Sequence, residues 1–206
     1  MRKIVKLVLA FALLCSFCGC SKPSEKASNG STDTTNNSAI TVDEGLIMVD
    51  ITLSRDFFEG QSDQEIIDGA KEAGYSKCTI NDDGSVVYTM TKLKQKELIE
   101  EMGNSIEESL AGFLDGEAEV ASFVDIKHDE NYREFTVYID MNQYTAFDQL
   151  YIFAFYLSSV YYQMFEGVEP DDIDVLVEYI DNETKEVITS GSYKEYMQSL
   201  EENEGN

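Results

Sequence analysis

Histidine is the scarcest proton-transfer group in this chain of 206 residues, with His128 alone. A Ser-His-Asp or Cys-His catalyst needs its histidine held by a third group beside an activated nucleophile. His128 opens the stretch His128-Asp129-Glu130-Asn131, between two β-rich runs, where a solvated hairpin turn is expected. In such a turn a substitution usually shifts stability by under ~0.5 kcal/mol. Three cysteines crowd the N-terminus, and only Cys78 lies beyond residue 20. Cys78 shares a strand face with Ile80 and reads as a small core residue, not a reactive thiol. Zinc sites usually draw on several His or Cys ligands. Neither a Gly-rich phosphate loop nor a dinucleotide fingerprint appears. No metal, no cofactor and no catalytic residue is therefore expected.

Carboxylates are abundant, 40 Asp and Glu in all, so a paired-carboxylate hydrolase stays open as an alternative. Their abundance makes any one pair uninformative, and no Trp is present to stack a sugar. Asp171-Asp172-Ile173-Asp174 and Asn81-Asp82-Asp83-Gly84 could present oxygens to Ca²⁺, but neither fits an EF-hand loop; solvated turns are expected.

The charge balance narrows the partners. Lys and Arg number 15, for a net charge of −25, and three of those cations (Arg2, Lys3, Lys6) sit at the extreme N-terminus. Phosphate binding needs clustered Lys and Arg, so nucleic acid is a poor partner. An anionic membrane surface would repel the domain too. The acidity reads first as solubility, and more sharply as attraction of a basic partner or of divalent cations.

Residues 1–19 are read as a signal peptide. Arg2, Lys3 and Lys6 precede an apolar run, Leu7 to Cys18, interrupted only by Ser16. That run is too short for a comfortable bilayer span. Phe17-Cys18-Gly19-Cys20 follows. It resembles the lipobox of bacterial lipoproteins, in which a small residue precedes a lipid-modified Cys. Gly19 and Cys20 match; Phe17 departs from the usual Leu. The resemblance implies cleavage before Cys20, acylation of Cys20, and a cell-membrane location on the extracytoplasmic face. Two acyl chains on one Cys would hold it stably, at ~0.8 kcal/mol per buried methylene. With Cys15 and Cys18 removed and Cys20 acylated, Cys78 has no disulfide partner.

From Ser21 to Val42 the sequence is rich in Ser, Thr, Asn and Gly without an apolar period. Together with Cys20 this is read as a lipidated anchor and flexible tether, residues 20–42. As a coil it would span about 25 Å, keeping the domain near the membrane.

Residues 43–200 are read as one α+β domain, with 201–206 as an acidic tail. A strand is expected over 46–53, with Ile47, Val49, Ile51 and Leu53 on one face. Ser62-Asp63-Gln64-Glu65 fits a capping box opening a helix whose stripe is Ile66, Ile67, Ala70 and Ala73, with Gly74 beyond it. Strands over 77–80 and 85–91 flank Asp82-Asp83-Gly84. A second helix spans 92–114 on Leu98, Met102, Ile106, Leu110 and Phe113. A hairpin of 122–127 and 134–140 follows. A third helix, 142–165, carries no charge from Gln149 to Phe165 and is apolar nearly all round. Read as a buried central helix covered by the other two, it is preferred to a membrane span, because its tyrosines, Ser158, Ser159 and Gln163 would be unsatisfied in lipid. A last hairpin, 174–180 and 186–189, and a short helix, 193–200, end the domain.

The order is a strand followed by three αββ units. The economical architecture is one mainly antiparallel sheet with helices packed on one face. With the lipobox, the polar stalk and Thr52-Leu53-Ser54-Arg55-Asp56-Phe57-Phe58-Glu59-Gly60 before an acidic helix, the chain resembles small lipoproteins of Gram-positive bacteria. That resemblance implies location and no reaction. The expected role is a non-catalytic binding or accessory module, its partner a protein; the alternatives are a carboxylate-dependent hydrolase or an accessory subunit of a transporter.

Overall fold

The computed structural model describes residues 46–115 and 120–204. The expected signal peptide, Cys20 and tether lie outside the described residues.

Local chemistry sets the first elements. Strand β1 (Met48–Leu53) points Ile51 and Leu53 into the core. Helix α1 (Asp63–Glu72) begins at the expected capping box: Ser62 accepts from the Glu65 backbone N–H, and the Glu65 carboxylate accepts from the Ser62 backbone N–H. Gly74, at φ +80°, adopts the left-handed turn past the helix end. Strands β2 (Lys77–Ile80) and β3 (Val86–Thr91) form the first hairpin. Thr91 then caps helix α2 (Lys92–Leu114) by accepting from the Lys94 N–H, so β3 runs straight into α2. Strands β4 (Phe123–His128) and β5 (Glu134–Ile139) form the second hairpin. Helix α3 (Ile152–Glu166) precedes β6 (Leu176–Asp181) and β7 (Val187–Ser192), which pass directly into α4 (Tyr193–Glu204).

The fold is α+β, in the expected order of one strand and three αββ units. The strands divide, however, into a three-stranded sheet, β1-β3-β2, and a four-stranded sheet, β4-β5-β6-β7, where one sheet was expected. Pairing is antiparallel except between β5 and β6, which are parallel around the α3 crossover. The length of α2 accounts for the split. Its 23 residues carry the chain about 34 Å at 1.5 Å per residue. Leu98 near its start packs against the first sheet, whereas Ile106, Leu110 and Phe113 pack against the second. Helix α3 bridges in the same way, with Phe165 on the first sheet and Phe155 and Val160 on the second.

Two helix boundaries differ from expectation. The third helix starts at Ile152, after a 3₁₀ turn at Asp148–Tyr151, and not at residue 142. Asp140 takes the Asn142 N–H, and Asp148 takes both the N–H and the hydroxyl of Thr145. These side chains satisfy the backbone outside a helix. At the other end, α4 continues to Glu204, through part of the expected acidic tail. No helix among the described residues is long and apolar enough to cross a membrane. Helix α3 instead lays Phe155, Tyr156 and Val160 on the four-stranded sheet, against Phe135, Val137 and Val177.

Candidate functional site

His128 is not in a solvated turn. It is the last residue of β4, paired with Phe135, and its side chain is 22% exposed. Its ring stacks on Tyr132, with centroids 4.8 Å apart. Nδ1 lies 2.8 Å from the Asp129 carbonyl, and Nε2 lies 3.2 Å from Glu107 Oε1 on α2. The Tyr132 hydroxyl donates to the same oxygen at 2.9 Å. Glu107 thus gathers two groups from the β4–β5 hairpin and ties it to α2.

The hairpin is shaped to make this contact. Tyr132 sits at φ +54°, in the left-handed region that bulky residues rarely adopt. Asp129 holds the turn there by accepting from the N–H groups of Arg133 and Glu134 at 2.6 and 2.9 Å. Burial and the Glu107 carboxylate push the Tyr132 hydroxyl well above its ordinary range. On α2, Gly103 leaves room for this ring: a Cβ there would stand 3.3 Å from the Tyr132 hydroxyl. That accounts for a glycine inside a helix, where it costs about 1 kcal/mol against alanine. Each histidine nitrogen faces an oxygen, Nδ1 the Asp129 carbonyl and Nε2 the Glu107 carboxylate, so the ring is held within a clasp that ties the hairpin to α2.

The other chemically suggestive residues are likewise engaged in structure. Cys78 lies partly buried against the first sheet's core, and burial raises its thiol pKa, which disfavours the reactive thiolate. In the first hairpin turn, Asp83 accepts from the hydroxyl and N–H of Ser85, which lowers its pKa. Asp181 serves the third turn by accepting from the Glu183 and Thr184 N–H groups. Asp174 accepts from the Val175 and Lys194 N–H groups and from the Ser192 hydroxyl, fixing the start of α4. Among the described residues no group of three or more His, Cys, Asp or Glu is placed to hold a metal ion.

The surface of α3 is different. The helix is central, as expected, but its neighbours flank it without covering it. Phe113 of α2 meets Phe155 and Tyr151 on one side. Tyr193 and Tyr196 of α4 meet Tyr156 and Phe153 on the other. A stripe of apolar side chains remains in solvent from the 3₁₀ turn into the first half of α3: Phe147 before the turn is 78% exposed, Leu150 within it 51%, and Phe153 and Leu157 on α3 41% and 37%. Met197 and Leu200 of α4 are also exposed. One turn beyond Leu157 the stripe closes, where Phe57 covers Tyr161 edge-on at 5.1 Å.

The two flanking helices are acidic on their exposed positions. Helix α2 presents Glu97, Glu100, Glu101, Glu107 and Glu108, and α4 presents Glu195. Glu97, Glu100 and Glu101 lie toward the C-terminal end of α3, because α2 runs antiparallel to it, with Gln95 at Phe165 and Phe113 at Tyr151 and Phe155. Solvent-facing apolar residues scattered singly need no explanation, whereas four within eleven residues are worth a functional question. The missing charge from Gln149 to Phe165 points to a helix wholly in the core, whereas Phe153 and Leu157 meet solvent. The sequence carries no signal for Glu107, one of five glutamates in α2.

No family model, no curated protein and no solved structure matches this chain.

Proposed function

We propose that this chain is a membrane-anchored, extracytoplasmic, non-catalytic binding module that engages a protein along the exposed apolar stripe that runs from the 3₁₀ turn before α3 onto its first half. Gly19-Cys20 after a short apolar run supports the anchor, with Cys20 as the lipidated residue. The observation that carries the binding role is the stripe Phe147, Leu150, Phe153 and Leu157, left in solvent on a chain of net charge −25. Burying such side chains is worth about 1.5–3 kcal/mol each when complete, so a partner that covers them gains much of its affinity there. The engagement of His128, Cys78 and Asp174 in structural contacts favours a binder over a hydrolase.

The test is a photo-cross-linking residue in place of Leu157, in living cells that make the full chain. A discrete adduct with a second protein, lost in a Phe147→Ser/Leu150→Ser background, is the expected result. Absence of any adduct at this position, with the domain folded, would overturn the reading.

A further inference from the structure

We infer that the clasp between the β4–β5 hairpin and α2 is a proton-operated latch: uptake of one proton by the His128–Glu107 pair closes it, and loss of that proton slackens it.

The number of hydrogens on the ring decides the matter. Nδ1 lies 2.8 Å from the Asp129 carbonyl, and Nε2 lies 3.2 Å from Glu107 Oε1. A carbonyl oxygen only accepts, and so does an ionised carboxylate. A neutral imidazole carries a single N–H, so either tautomer turns a lone pair toward one of these oxygens. With Nδ1–H the bare Nε2 faces the carboxylate; with Nε2–H the bare Nδ1 faces the carbonyl. The imidazolium offers an N–H to each and forms an ion pair with Glu107. One added proton therefore turns a contact between two acceptors into an attraction.

The groups around the ring support the same sign. Tyr132 stacks on the imidazole, and its hydroxyl donates to the same Glu107 oxygen. Burial and Glu107 push that hydroxyl well above its ordinary range, so it stays a donor through the acid and neutral range. In the turn, the Asp129 carboxylate accepts from the Arg133 and Glu134 N–H groups. From α3, Tyr162 meets Tyr132 edge-on at 4.9 Å, and Glu166 brings a carboxyl, raised by burial, that feels both Arg133 and Asp129. Glu107, Asp129 and Glu166 thus surround the end of the hairpin with Arg133 as their counter-charge. Lys127, before His128 on β4, lies over Tyr138 on the opposite face of the strand. Histidine is the side chain that gains charge between about pH 8 and 5. His128 and Glu107 both keep part of their surface in solvent, so the proton enters without unfolding. Slackening the latch frees the side chain of Tyr132, whose backbone stands at φ +54°. The latch stands on this geometry alone; the extracytoplasmic location proposed above would make external acidity the signal that it reads.

The experiment is urea unfolding of the purified full-length chain, of His128→Gln, of Glu107→Gln and of the double variant, at about pH 5.5 and about pH 8.5, on either side of histidine's ordinary titration. The double-mutant cycle isolates the pair and cancels the carboxylates common to all four chains, Glu166 included. Coupling between His128 and Glu107 should favour the folded chain about two- to five-fold more at the lower pH, the size ordinary for a part-exposed pair. A second readout is hydrogen exchange at the Tyr132 amide, which donates to the Asp129 carbonyl. Corrected for the intrinsic rate, its protection should be greater at the lower pH in the parent and independent of pH in Glu107→Gln. Should a variant not fold, exchange in the parent still tests the latch. Coupling that is equal at the two pH values, or larger at the higher one, would overturn the inference. So would Tyr132 protection that does not change with pH in the parent, or that changes equally in Glu107→Gln.

Discussion

Phe57 caps Tyr161 edge-on at 5.1 Å, whereas Leu157, one turn earlier on the same side of α3, is 37% exposed. The contrast lies within one helix face. The segment leading into α1 reaches over the C-terminal half of the stripe, and the N-terminal half stays in solvent. Exposure therefore follows where the chain places its covering residues, and not a change in the chemistry of α3.

The clasp at Glu107 should be felt in stability. Tyr132→Phe removes one hydroxyl donor to Glu107 and is expected to cost about 1 kcal/mol. His128→Asn removes the ring stack and the Glu107 contact, with an expected cost of about 1–2 kcal/mol. Urea unfolding of each variant and of the double variant measures both costs and their coupling. Losses under ~0.5 kcal/mol for His128→Asn would return His128 to the role of a surface residue.

The tyrosines give a pH prediction. Tyr156 is pushed up to about 12 by burial and by the nearby Asp174 and Glu195 carboxylates. Burial also raises Tyr132, Tyr161, Tyr162, Tyr179 and Tyr193. A hydroxyl whose folded pKa is raised keeps its proton longer in the folded chain. Its contribution is fully present below pH 10, its ordinary value, and is lost as pH climbs through the folded pKa. Tyrosinate absorbance at 295 nm should rise in two stages in the native chain and in one stage in denaturant. A single native stage near pH 10 would show these side chains to be solvated.

Packing of β7 against α3 is tested at Gly191. A Cβ there would stand 2.8 Å from the Tyr156 hydroxyl and 3.1 Å from Ile152 Cδ1. Gly191→Ala is expected to destabilise by about 1–3 kcal/mol, as overpacking does. Adding Tyr156→Phe, which deletes the closer atom, should recover part of that loss in thermal unfolding. A neutral Gly191→Ala would show that β7 lies farther from α3.

The proposed anchor rests on Cys20, preceded by Gly19. Cys20→Ala should abolish labelling by a radioactive fatty acid and release the chain from the membrane fraction. Unchanged labelling would remove the assignment.

Much of the fold was legible because its signals are local. Ser62 and Glu65 mark a helix start within four residues. The bounds of α2, Lys92–Leu114, follow from a cap at Thr91 and a regular apolar period. Each hairpin turn carries an aspartate that binds backbone N–H groups a few residues on, at Asp83, Asp129 and Asp181. Non-local features were not legible. Division into two sheets depends on how far α2 carries the chain and on β5 pairing with β6 across α3. His128 acquires its role from Glu107, which only the packing of α2 on the hairpin brings near. The strip on α3 was hidden for a different reason. A helix apolar nearly all round has no polar face to mark which side meets water, so hydropathy gives Leu157 and Val160 the same reading although one is 37% exposed and the other 2%.

On the proposed reading, the stripe from Phe147 to Leu157 serves binding and not folding. The direct measurement pairs the melting temperature of the Phe147→Ser/Leu150→Ser variant with its in-cell cross-linking from position 157. Exposed positions change stability little, so the melting temperature should stay within about 3 °C of the parent. The adduct with the second protein should disappear. A variant that melts far lower, or one that melts normally and still forms the adduct, would contradict the claim.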